Sequence, residues 1–87
     1  MKLIIAILQD SDADNVTQAL TADNFRITRI ASTGGWLRRG VVTLLVGLED
    51  ERVDAAIKVM RASTGKSEGD EARATLFVVP VENYTQI

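Results

Sequence analysis

Apolar positions along this chain follow two rhythms, and the switches between them mark the elements. Lys2 to Leu8, KLIIAIL, is a nearly unbroken apolar run with three isoleucines, the pattern of a strand covered on both faces. The period then lengthens. Ala13, Val16, Thr17 and Leu20 fall at i, i+3, i+4 and i+7, one face of a helix. Ser11 with Asp14 three residues on has the form of that helix's start, and acidic groups there suit the positive end of the dipole. Ala22-Asp23-Asn24 ends it. Phe25 to Ser32 alternates, with Phe25, Ile27, Arg29 and Ala31 on one side and Arg26, Thr28 and Ile30 on the other, and predicts a second strand. Val41 to Leu48 predicts a third, with Gly47 near its end. Glu49 to Thr64 returns to the helical period, with Val53, Ala56, Ile57 and Met60 on one face. A polar loop, residues 65–72, leads to a fourth strand, Arg73 to Val79, whose ladder Pro80 stops. Residues 81–87 form a short, partly apolar tail.

The order β-α-β-β-α-β is that of the ferredoxin-like α+β sandwich, an antiparallel four-stranded sheet with two helices on one face. Its two halves are quasi-repeats, and no linker or low-complexity segment divides residues 1–87 into more than one domain. The sheet face away from the helices would be open. With Leu3, Ile5 and Ile7 on the first strand and Leu44 and Val46 on the third, few polar residues remain to cover it. An exposed apolar sheet face implies a partner, and self-association is the simplest one.

Composition narrows the function more than the fold. At 87 residues the chain is small enough to be marginal alone, so an oligomer would complete its core. Aromatics are 5% of residues, so that core is aliphatic. A net charge of −2 argues against a general nucleic-acid binder and leaves anion binding to local arginines. With no cysteine and no histidine, disulfides, thiol catalysis, thiolate metal sites and the commonest general base are all excluded. The apolar run from Leu3 to Leu8 is too short for a signal peptide or a membrane span, and a cytoplasmic protein without membrane insertion is expected. No catalytic constellation, phosphate loop or metal cluster is legible, so binding is favoured over catalysis, with no metal and no cofactor.

The candidate chemistry gathers around Ser32 to Gly40, STGGWLRRG, which holds the only tryptophan, two adjacent arginines and half of the six glycines. Asn24, Arg26 and Thr28 share one parity leading into it, and an antiparallel third strand returns Gly47 to the start of the second. The set is an amide, a guanidinium, a hydroxyl, glycine N–H groups at Gly35, an aromatic slab at Trp36 and a further cation at Arg38. Arginine and glycine amides suit a phosphate oxygen, tryptophan stacks on a base, and asparagine can pair with an adenine edge. Together they describe a nucleotide. Each also has a plainer use: a solvated strand face, a positive-φ turn at Gly34-Gly35, a subunit contact at Trp36, solubilising charge at Arg38 and Arg39. The acidic runs at Asp10-Asp12-Asp14 and Glu49-Asp50-Glu51 read as helix N-terminal charges, and a carboxylate metal site there as a minor possibility.

KLIIAILQDSD, NFRITRIASTGGWLRRG and TLFVVPVENY resemble the PII-like cyclic di-AMP receptors, across both ends and the centre of the chain. The gapless run from Asn24 through the double glycine to Gly40 is specific. The resemblance implies a ferredoxin-like fold, a bacterial homotrimer with its sheets packed inward, and ligand clefts between subunits. It also implies signalling through ligand-altered loops to a downstream protein. Family ligand contacts fall here on Asn24, Arg26, Thr28, Trp36, Leu37 and the backbone of Gly47. The chain departs from the family pattern in having Val41 where an asparagine is usual, Trp36 for phenylalanine, Arg39 for a small residue, and a short loop before the last strand.

The expectation is therefore a non-enzymatic, cytoplasmic PII-like sensor. It binds cyclic di-AMP or a related adenine nucleotide through Asn24, Arg26, Thr28, Gly35, Trp36, Leu37, Arg38 and Gly47. The second reading is a trimeric module whose Trp36 loop docks on a partner protein without a nucleotide, since exposed tryptophan and arginine also make interface hot spots.

Overall fold

The computed structural model describes residues 1–31, 40–65 and 73–87. The elements run β1 (Lys2–Gln9), α1 (Asp10–Ala22), β2 (Arg26–Ala31), β3 (Val41–Leu48), a single 3-10 turn (Asp50–Arg52), α2 (Val53–Ser63) and β4 (Ala74–Pro80). The sheet order is β2-β3-β1-β4, with every neighbouring pair antiparallel. This is the ferredoxin-like arrangement the hydrophobic pattern predicts.

Register decides which residues face the helices. Ile4 pairs with Val46, Ala6 with Leu44 and Leu8 with Val42, so these even-numbered positions share one face. On that face Ile4, Ala6, Leu44 and Val46 are wholly buried. α1 covers them with Ala13, Val16 and Leu20, and α2 with Ala56 and Met60. Full burial of each isoleucine, leucine, valine or methionine among them contributes about 2 kcal/mol. The small residues Ala13 and Ala56 let the helices lie close to the sheet. The register corrects the expectation for β3: Leu44 and Val46 lie in the core, and Leu45 and Thr43 take the open face beside Ile5 and Ile7.

The helix ends are built differently from their sequence cues. α1 starts at Asp10 directly from β1, with Gln9 at its N-cap and no side-chain cap, so Ser11 does not open it. Its C-terminus is a Schellman motif. Phe25 N–H donates to Leu20 O and Asn24 N–H to Thr21 O, both at 3.0 Å, with Asn24 in the left-handed region at φ 65°. Leu20 and Phe25, which such a motif brings into contact, are both buried. Arg52 completes the cap. Its Nη2 donates to Asp23 O at 2.8 Å, and its guanidinium lies 4.0 Å from the Phe25 ring centroid.

The acidic run of α1 consists of ion-pair partners rather than free dipole charges. Asp10 and Asp14 both meet Arg29, at 3.4 and 2.8 Å, on the exposed rim of the helix face. Asp12 is buried at 5% exposure and holds two separate chain segments. Its Oδ1 accepts the Gly65 N–H at 3.1 Å, and its carboxylate takes Arg73 Nε and Nη2 in a fork. A Cβ on Gly65 would fall 2.7 Å from Arg73 Nη2, so a larger residue there would displace the guanidinium from this position. Asp12→Ala is expected to cost roughly 2 kcal/mol, somewhat under a fully buried pair because Arg73 keeps some solvent contact. Arg29→Ala, which breaks only exposed pairs, is expected to cost under about 1 kcal/mol. Urea midpoints at one protein concentration check both, and equal losses would refute the difference.

Candidate functional site

The open face of the sheet is polar at one margin and apolar across the middle. Successive rows run Arg26–Gly47–Leu3–Val79, Thr28–Leu45–Ile5–Phe77 and Ile30–Thr43–Ile7–Thr75. Phe77 is 52% and Ile30 45% exposed, an unusual state for residues of this size on a small domain. The polar margin is the edge strand β2, which has a neighbour on one side only.

The structure brings together three of the residues singled out from sequence. Arg26 stands directly opposite Gly47, and Thr28 follows on the same face opposite Leu45. Arg26 and Thr28 are exposed. Asn24 is exposed as well, but it lies before β2 in the Schellman turn, so strand parity does not aim its side chain with the other two. Gly35, Trp36, Leu37 and Arg38 lie outside the described residues. The flank of their segment is held: Gly40 has φ 83°, a conformation that favours glycine, and its carbonyl accepts the Asp10 N–H at 2.7 Å. That bond also satisfies one of the free donors at the start of α1.

The arginines divide by what they touch. Arg29, Arg52 and Arg73 are each engaged, with Asp10 and Asp14, Asp23 and Phe25, and Asp12 respectively. Among the described residues Arg26 and Arg61 pair with no carboxylate; Arg61 lies in the last turn of α2, and Arg26 has its charge available on the open face. It stands beside a glycine, where a ligand can approach the backbone. No group of three or more acidic, histidine or cysteine side chains suited to a metal ion occurs among the described residues. Among them, too, no helix is long and apolar enough to cross a membrane.

Sequence reasoning missed Met1. Its side chain reaches Gly47, and its α-amino group lies 3.0 Å from Asp50 Oδ1. The hydrogen bond from that amino group holds the Asp50 carboxyl below its ordinary 3.8, with slight burial opposing and the charges of the amino group and Lys2 assisting. The Asp50 carboxylate is therefore fully available to this contact above pH 3.8 and is lost to it as the pH falls through the lowered value. The signal was present in the parity that Met1 shares with Leu3.

An antiparallel sheet in the order β2-β3-β1-β4 with two helices on one face is the ferredoxin-like sandwich. The family model for cyclic-di-AMP receptors matches residues 1–69, and the chain belongs to that family. A solved structure, described as a functionally unknown protein from Pediococcus pentosaceus ATCC 25745, is similar over 99% of this chain and 96% of its own. It is 30% identical, with a TM-score of 0.80.

Asn24 has a structural duty that can be separated from any duty to a ligand. Asn24→Ala is expected to lower stability by about 1 kcal/mol because alanine resists the left-handed region, whereas Asn24→Gly keeps it. A glycine variant that folds normally leaves the cap intact while removing the amide, and so separates the two duties. Equal melting temperatures for the alanine and glycine variants would refute the structural part.

Proposed function

We propose that this chain is a PII-like signalling protein that binds cyclic di-AMP, or a related adenine nucleotide, in the clefts between subunits of a homotrimer. The observation that carries the reading is Arg26. It is exposed, unpaired among the described residues, and set beside Gly47 on the open face of a protein from a cyclic-di-AMP receptor family. Arg26 and Arg38 meet phosphate, Trp36 stacks on a base, and Asn24 and Thr28 read its edge. Gly35 and Gly47 allow close approach, and Leu37 is a further contact with the ligand. The protein is a receptor rather than an enzyme, needs no cofactor or metal, and acts in the cytoplasm as one domain over residues 1–87. It passes the signal to a downstream protein.

One feature supports a site between subunits. The apolar middle of the open face, with Ile5, Leu45 and Phe77 in one row, favours burial against other copies.

Cyclic di-AMP is expected to change Trp36 emission saturably, at one ligand per subunit, with calorimetry giving the same curve. Arg26→Ala is expected to weaken binding at least about tenfold, the scale of one lost charged contact, while sedimentation still gives the three-subunit mass. Unchanged affinity in the variant would remove Arg26 from the site. Response to another adenine nucleotide alone would change the signal but keep the sensor. No response to any nucleotide would favour the second reading, in which the Trp36 loop docks on a protein.

A further inference from the structure

The open face has one gap that the sheet itself leaves. Arg26, Gly47 and Leu3 stand side by side across β2, β3 and β1, and the middle one has no side chain. The gap is floored by the Gly47 backbone and walled by an arginine and a leucine. A Cβ placed on Gly47 would meet Met1 Cε at 3.1 Å, so the thioether methyl fills it. Met1 precedes Leu3 by two residues and so shares its face. It lies diagonally across from Gly47, a distance that a long side chain spans.

This filler is removable. Met1 is 44% exposed, its side chain is unbranched with three rotatable bonds, and its ion pair to Asp50 is made by the backbone amino group, not the side chain. The other methionine, Met60, is 3% exposed and fixed in the core. The two methionines of this chain therefore occupy opposite mechanical situations.

We propose that Met1 is a displaceable wall of the nucleotide site, seated over Gly47 when the site is empty and swung against the bound base when it is full. This rests on the binding reading above and adds to it a residue that no motif marks. The chemistry matches a purine ring beside a phosphate ester. The ring enters the gap over the Gly47 backbone, its phosphate lies toward the Arg26 guanidinium, and the polarizable Met1 sulfur exchanges contact with the glycine for contact with the ring. A thioether presents no strong hydrogen-bonding group, so it senses the ring's presence and thickness and leaves the ring's edge to Asn24 and Thr28.

The test uses full-length protein labelled with methyl-13C methionine, which has two methyl signals. Met60→Leu, a volume-conserving core change, assigns them by leaving only that of Met1. On titration with cyclic di-AMP, the Met1 methyl is expected to move upfield by ring current. It should saturate along the same curve as calorimetric binding, while the Met60 methyl stays in place. Saturable heat with an unmoved Met1 signal would overturn the proposal and leave the receptor reading standing. Absence of heat with every adenine nucleotide would overturn both. Gly47→Ala gives an independent check. It is expected to shift the Met1 methyl in the free protein and to weaken binding about tenfold or more, the effect of one misfit methyl group in a fitted pocket. Wild-type affinity in that variant would refute the gap as a subsite.

Discussion

The pairing of β1 with β3 is the constraint on which the rest of the structure depends. These two strands are central and apolar on both faces, so they do not choose a register by burying one face and wetting the other. Sliding one past the other by a single residue would exchange every side chain between the helix layer and the open face. The observed register places the wholly buried set Ile4, Ala6, Leu44 and Val46 under the helices. By the same step it brings Gly47 into line with Leu3, and β2 then adds Arg26 to that line. The candidate site follows from the core's own bookkeeping of faces.

The first turn of α1 is the second organising element. Its backbone N–H at Asp10 holds the Gly40 carbonyl, and its Asp12 carboxylate holds Gly65 and Arg73. Asp10 and Asp14 secure Arg29 on β2. One short piece of helix thus ties Gly40, Gly65 and Arg73 to the rigid part of the molecule.

Most of the fold is legible in the sequence because its elements alternate between two clear periods. β3 has the predicted limits, and the apolar helix faces are those read from spacing, with Ala13, Val16, Leu20, Ala56 and Met60 buried. The assignment of Leu44 and Val46 failed for a physical reason: in a run apolar at every position, parity carries no signal, and only pairing can reveal which members face inward. Asp12 resembled its acidic neighbours because a helix N-terminus accommodates free and buried acids alike, and its partner Arg73 lies 61 residues away. Asn24 resembled a strand residue until the Schellman turn gave it a positive φ. Of the site, the chain's own pattern supplied Arg26, Thr28 and Gly47. It marked Met1 only through the parity shared with Leu3, which gains meaning once the register sets Leu3 beside Gly47.

The Asp12 clasp has an evolutionary consequence. Gly65 and Arg73 are gathered onto one carboxylate, so the chain between them begins and ends at nearly the same point whatever its length. Closing a flexible loop becomes only slowly harder as it lengthens, by about 0.6 kcal/mol for each doubling. The sandwich therefore barely registers how many residues are threaded through the clasp. Insertions and deletions there can be tried by descent at little risk to folding, and chains sharing this core are free to differ in how many residues they carry between the two ends of the clasp.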